Sequence, residues 1–140
     1  LSTLFLTICP TQSWSQTIGY PISFAAEDIR TVQLHPLGMA TAAAIVPLNG
    51  GVLDFALDDF SPNNRRLEMR WRHCTFDWFD SPDLVQSDYI NGFTSGSFES
   101  IEASFNTKAN YVHYRTAFPN ELMSFSLSGN YIVEVYDANE

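Results

Sequence analysis

Three histidines, His35, His73 and His113, and a group of acids, Asp54, Asp58 and Asp59, carry the side chains that could hold a metal ion or move a proton. Zinc needs three or four ligands that converge, and these histidines fall singly on three separate stretches with no H-x-x-x-H pair. They read as histidines with ordinary hydrogen-bond partners. The acids lack the D-x-[DN]-x-[DN]-G pattern of a calcium loop, and strand alternation puts Asp54 and Asp58 on a solvent side, which reads as a solvated acidic turn. Glycoside hydrolysis needs two carboxylates about 5 to 10 Å apart across a cleft, and Glu68, Asp77, Glu99 and Glu102 show no such pairing. There is no G-x-S-x-G and no glycine-rich phosphate loop, and the neighbours His73 and Cys74 point to opposite faces of a regular strand. The sequence nominates no catalytic residue, no metal ligand and no cofactor site, so the expectation is a protein that is not an enzyme.

The remaining candidates are apolar. Phe76 to Gly92 carries Phe76, Trp78, Phe79 and Tyr89 in a stretch broken by Ser81-Pro82-Asp83, with one helical turn expected around Leu84 to Ser87. Trp78, Phe79 and Tyr89 offer rigid amphipathic area for a partner contact, rimmed by Asp77, Asp80, Asp83 and Asp88. The same rings could cap the end of a core or form a sugar-stacking platform. All three readings stand on sequence alone.

These residues must be held by strands. In Arg66 to Cys74, Leu67, Met69, Trp71 and His73 project to one side and Arg66, Glu68, Arg70 and Arg72 to the other, the period of a half-buried strand, with Trp71 as its core anchor. Ile29 to His35, Ser97 to Asn106 with Ile101, Ala103 and Phe105 inward, Tyr111 to Phe118, Met123 to Leu127 and Tyr131 to Tyr136 read as further strands. Ala42 to Leu48 and Val52 to Leu57 predict a hairpin closed by Asn49-Gly50-Gly51, with a helical turn at Ala40 to Ala44 as the alternative. About seven strands without a long helical period predict an all-β fold, an antiparallel immunoglobulin-like β-sandwich. Asp137 to Glu140 reads as the start of another turn, so Tyr131 to Tyr136 is expected to lack a hairpin partner and to leave the sandwich incomplete at its C-terminal edge.

A chain of 140 residues supports one core without disulfide or metal staples. Charged residues make up 16% of it, low against roughly 25% for ordinary domains, while 45% is hydrophobic and 14% aromatic. A net charge of −9 with seven Lys and Arg leaves no basic patch for nucleic acid or an anionic membrane surface. Leu4 to Ile8 followed by Ser13-Trp14-Ser15 reads as a truncated secretory signal over residues 1–15, matured after Ser15, with an apolar first strand as the alternative. The run is too short to span a bilayer, and Ile8 is too bulky to precede a lipidated Cys9. Residues 16–28 form an N-terminal segment and 29–140 the sandwich domain, in which Cys74 is the single cysteine and is expected to be buried.

R-H-C-x-x-x-W from Arg72 to Trp78, S-P-D-L from Ser81, Y-I-N-G-F at Tyr89 to Phe93, S-F-N-T at Ser104 to Thr107, Y-V-H-Y-R at Tyr111 to Arg115 and S-G-N-Y at Ser128 to Tyr131 form an ordered series. With V-Q-L-H-P-L-G from Val32 and L-D-F-A-L-D-D-F from Leu53, it resembles the N-terminal domain of type IX secretion system plug proteins over most of Ile29 to Asn139. The resemblance implies an exported, periplasmic protein associated with the outer membrane, which closes the periplasmic opening of a translocon β-barrel without activity or cofactor. It supplies no contact residues. The competing expectation is a carbohydrate-binding β-sandwich module of a glycan-uptake or hydrolase system.

Overall fold

The computed structural model describes residues 3–5, 26–63 and 65–139. The alternation of Arg66 to Cys74 becomes strand β4 (Leu67–Cys74), with Leu67, Met69 and Trp71 buried and Arg70 exposed. In chain order the other strands are β1 (Thr3–Phe5), β2 (Ile29–Pro36), β3 (Leu53–Asp59), β5 (Ile90–Gly92), β6 (Gly96–Ser97), β7 (Ser100–Ala103), β8 (Val112–Phe118), β9 (Met123–Phe125) and β10 (Asn130–Asp137). One helical turn, α1 (Gln86–Tyr89), interrupts them and is opened by the Asp88 carboxylate accepting from the Val85 N–H at 2.9 Å.

All pairings are antiparallel. One sheet has the order β1-β10-β4-β6, the other β2-β3-β8-β7, and β5 with β9 forms a small third ribbon. The two larger sheets make the expected antiparallel β-sandwich. Its core is built from the inward sides of β3 (Leu53, Phe55, Leu57), β4 (Leu67, Met69, Trp71), β8 (Tyr114, Phe118) and β10 (Val133, Val135). Trp71 bridges the layers: its ring lies 4.6 Å from Phe118 on β8 and 5.2 Å, edge-on, from Phe125 on β9.

Three sequence expectations are corrected. Ala42 to Leu48 forms no strand; residues 37–52 are a loop held by short-range bonds such as Ala42 N–H to Met39 O, and β3 pairs with β2 instead. With β2 and β8 on its two sides, β3 has no free edge for that segment, and Pro47 lacks a donor in any case. The turn itself is real, since Gly50 takes φ +83° and Gly51 donates to Pro47 O. Ile101, Ala103 and Phe105 are all exposed, and Phe98 takes the buried place against Phe55 and Tyr114. Ile101 shares a face with buried Tyr114 by register, but β7 is a sheet edge where the facing sheet narrows to β6, a Gly-Ser pair. Finally, β10 is not an open edge: β4 flanks it throughout and Thr3–Phe5 pairs with Glu134, Val135 and Tyr136 on the other side. The expected cleavage motif, Ser13 to Ser15, lies outside the described residues, as does most of 16–28.

The outward residues of β3 are not solvated as alternation alone suggests. Asp54 is 6% exposed, because Arg115 on the neighbouring β8 binds its carboxylate twice, Nε to Oδ1 at 2.8 Å and the terminal nitrogen to Oδ2 at 2.6 Å. Asp58 accepts from His113 Nδ1 at 2.6 Å. The Arg115 hydrogen bonds hold the Asp54 carboxyl below the ordinary value of 3.8, against the opposing effect of burial. A depressed carboxyl contributes stability above its unfolded pKa that is lost as pH falls through the folded one. Asp54→Asn is therefore expected to flatten the loss of stability below about pH 4. Urea midpoints at pH 7 and pH 3 check this; equal acid losses in the variant and the parent protein would contradict it.

Candidate docking surface at the aromatic end

β4 ends in a closed excursion. The Thr75 N–H donates to Phe79 O at 2.8 Å, the Trp78 N–H to Thr75 O at 3.0 Å and the Ser81 N–H to His73 O at 3.1 Å, while Cys74 bridges to Asp80. Closing so few residues forces Trp78 to φ +67°, a left-handed conformation that costs a bulky residue roughly 1–2 kcal/mol. Strain of this kind persists only where the surroundings enforce it, and it gathers at functional sites. Its local result is plain: Phe76 and Phe79 point outward, 85% and 73% exposed, and Trp78 turns back toward the body of the domain, half-buried.

Trp78 there forms one wall of a cavity of about 310 Å³ between residues 44–51 and 125–131. Leu53 and Trp71 are its buried lining, Val46, Phe125 and Tyr131 its half-buried lining, and Ile45, Leu48 and Leu127 its exposed rim. No charged residue and no histidine lines it among the described residues. Its polar groups are largely engaged: Tyr131 donates to Leu127 O, and Asn130 Nδ2 donates to Thr75 O at 3.2 Å, tying β10 to the Trp78 loop. Burial, with Tyr89 nearby, raises the Tyr131 phenol to about 12, which keeps it protonated and donating. The walls are set by glycines. A Cβ on Gly129 would meet His73 Nε2 at 2.3 Å, and one on Gly51 would meet Pro47 O at 2.5 Å.

The loop aromatics thus divide. Phe79 is exposed and available for contact, and Trp78 faces both the cavity and the surface. Tyr89 is withdrawn from any contact surface: it is 8% exposed, with its ring against His73 (5.7 Å) and Tyr131 (6.0 Å), so it caps the core. The acidic rim is partly engaged in local structure, Asp80 by Arg72 (2.7 and 2.6 Å) and Asp88 by Val85. Sequence reasoning missed Ile45, Leu48 and Leu127, which join Trp78 only through tertiary packing across some eighty residues. Their one local signal is that each apolar group adjoins a Gly-containing turn, Asn49-Gly50-Gly51 or Ser128-Gly129-Asn130.

The groups that could do chemistry are dispersed and partnered. His73 Nδ1 lies 2.7 Å from Ser81 Oγ and its Nε2 3.3 Å from Ser128 O, His113 faces Asp58, and His35 Nδ1 lies 3.0 Å from Pro36 O. Cys74 is 2% exposed, and burial raises its thiol pKa above the ordinary range. Among the described residues no three of His, Cys, Asp and Glu cluster at metal-binding distance, and no helix is long and apolar enough to cross a membrane.

A solved structure shares this architecture. The crystal structure of a hypothetical protein from Parabacteroides merdae ATCC 43184 is 28% identical, superposes with a TM-score of 0.75 and covers 80% of this chain; the match spans 28% of the length of that protein. No functionally curated protein matches. Residues 29–140, from the first residue of β2 through β10, match the first domain of the type 9 secretion system plug protein. Both sheets of the sandwich, apart from β1, fall within that span, and on this match the chain belongs to the type 9 secretion system plug protein family, as its first domain.

Proposed function

We propose that this domain is a non-enzymatic part of a periplasmic plug that closes the opening of an outer-membrane secretion barrel, and that its aromatic end contacts the barrel. The family match over residues 29–140 carries the reading. The surface is consistent with it. Ile45, Leu48 and Leu127 rim the cavity lined by a strained Trp78, and Phe76 and Phe79 flank that tryptophan in the chain; all five are at least 38% exposed, and exposed apolar side chains in such numbers are of the kind that marks a protein contact. A net charge of −9 argues against phosphate-rich partners. A carbohydrate module is less well supported, because the cavity lining offers few free polar groups for the many hydroxyls of a sugar.

Co-purification of barrel components with the tagged full-length parent tests the proposal. The informative variant is Trp78→Gly with Phe79→Ala, since glycine takes φ +67° freely and keeps the loop's path. Barrel recovery is expected to fall about tenfold or more, as for loss of hot-spot aromatics, with an unchanged circular dichroism spectrum. Recovery at the level of the parent protein would remove this end from the interface. No barrel recovered by the unmodified parent would sink the plug reading itself.

A further inference from the structure

We propose that Asn49 is a site of self-modification: on the folded protein its side-chain amide is lost by cyclisation onto the Gly50 nitrogen and the residue becomes aspartate or isoaspartate, while Asn91 is protected. These are the two asparagines of the chain that precede a glycine. In such a pair the backbone nitrogen of the glycine attacks the asparagine Cγ and gives up its proton. The new C–N bond closes a five-membered succinimide as the old one breaks, and the side-chain nitrogen leaves as ammonia. Water then opens the ring at either carbonyl, which yields aspartate or, with one methylene moved into the main chain, isoaspartate. Water is the co-reactant, and nothing is oxidised or reduced.

Cyclisation requires a glycine N–H that is not engaged, a side-chain amide free to swing onto it, and a backbone that accommodates the ring. Asn49 and Gly50 meet all three. Both are exposed, and among the described residues neither the Asn49 side chain nor the Gly50 N–H makes a hydrogen bond. The bonds that hold this turn lie outside the pair, Gly51 N–H to Pro47 O at 3.2 Å and Leu37 N–H to Val52 O at 2.9 Å. Gly50 has no Cβ to shield its nitrogen, and nothing lies within 4 Å of the place where one would be.

Asn91 is exposed too, so accessibility alone does not separate the two sites. It sits in the middle of β5, opposite Ser124 on β9, and the ribbon is closed on either side by Ser126 N–H to Tyr89 O and Phe93 N–H to Leu122 O, both at 3.0 Å. Ring closure turns the asparagine ψ out of the extended range, which a paired strand residue leaves only by opening its ribbon. Gly92 is also wedged: a Cβ there would run into the Leu122 carbonyl, so its backbone has no room to swing. An exposed loop opens at almost no cost, whereas a paired ribbon must break first.

The product alters the docking surface. Asn49 lies between Leu48, on the exposed rim of the cavity, and the glycine turn that leads to Gly51 in its wall. Aspartate adds a negative charge to a chain already at −9, and isoaspartate also lengthens the main chain inside a turn fixed by the Gly51 to Pro47 bond. A charge at that edge disfavours covering the apolar rim with a partner, so docking weakens as the molecule ages. This consequence rests on the plug reading above; the modification rests on the loop alone.

The test holds the folded full chain near neutral pH and follows both sites. Trypsin separates them, since Asn49 falls in the peptide 31–65 and Asn91 in 73–108. Mass spectrometry counts the conversion of amide to acid in each, and electron-transfer fragmentation tells isoaspartate from aspartate. Asn49 is expected to convert at least about tenfold faster than Asn91 in the folded protein, and the two to come within about threefold of each other in concentrated urea, where neither backbone is held. Equal rates in the folded protein, or an Asn49 that stays intact there while the unfolded chain converts, overturn the proposal. Neither comparison needs a variant. For the consequence, Asn49→Asp in the full-length parent is expected to lower barrel capture about threefold, as a charge misplaced at an interface rim does. Capture at the level of the parent protein overturns the effect on docking and leaves the modification standing. No capture by the unmodified parent sinks the plug reading, while the two conversion rates still decide the modification.

Discussion

Trp71→Ala is expected to lower the unfolding free energy by about 3–5 kcal/mol, the range for truncating a large buried aromatic. Trp71 is 2% exposed and touches three layers at once: β10 through its pairing with Val133, β8 through Phe118 and the small ribbon through Phe125. Removing it also unsupports a ring-to-ring chain, since Phe125 packs edge-on against Phe118 at 4.4 Å and tilted against Tyr131 at 4.2 Å. The cavity already beside it limits collapse, because neighbouring atoms have no dense wall to move toward. Trp71→Phe separates the terms. It keeps an aromatic body and deletes the indole N–H, which is buried without a hydrogen-bond partner among the described residues, so its loss is expected to stay below about half of that of the alanine variant. Urea unfolding at pH 7 measures both, and a loss under about 1 kcal/mol for Trp71→Ala would mean that the layers close without it.

The legible parts of the fold are those in which one face of a strand meets the core and the other does not. Leu67, Met69 and Trp71 on β4, Leu53, Phe55 and Leu57 on β3, and Tyr114 and Phe118 on β8 obey a period of two because the sandwich imposes it. At the edge β7 the same pattern misleads: Ile101 lies on the inward face and is still 58% exposed, because a periodic sequence specifies a face and not whether anything covers it. Ala42 to Leu48 misled for the complementary reason. A turn signal and apolar composition say that two segments could pair, while the free edge they need is a property of the whole sheet.

The candidate site was legible as an excess of aromatics and not as a shape. Nothing local to Tyr89 says that its ring stays under His73 and Tyr131 while Phe79, ten residues earlier, faces outward. That division comes from the tight closure of Thr75 to Asp80, which turns Trp78 to positive φ and so fixes which rings point where. The cavity was illegible altogether, since its walls come from β2, the 37–52 loop, β3, β4, the Trp78 loop and the segment from β9 to the start of β10.

On the outer face of β4 and β10, replacing both Arg70 and Arg72 by methionine is expected to cost about 3–5 kcal/mol at pH 7. Their partner, Glu134, is 1% exposed although it lies on the side of β10 away from the core. Arg70 Nε meets its Oε2 at 2.5 Å and Arg72 Nε its Oε1 at 3.3 Å. The asymmetry of exposure sets the energetics: the arginines are 48% and 28% exposed and can turn to water, whereas the carboxylate has no route to solvent. Removing the cations therefore strands a buried charge, while removing the acid releases two charges that can rehydrate. Methionine keeps an apolar stem at both positions, one of them opposite buried Ile132 in the register, so the change reports charge more than packing. Loss of the Arg72 to Asp80 pair adds at most about 1 kcal/mol, as Asp80 is 61% exposed. Adding Glu134→Met to the double variant removes the stranded charge and is expected to bring stability back to within about 1–2 kcal/mol of the parent protein, since apolar replacement of a whole buried ionic cluster is often close to neutral. Urea midpoints for the double and triple variants decide it. A triple variant as unstable as the double would mean that the arginines act through packing and not by holding the buried carboxylate.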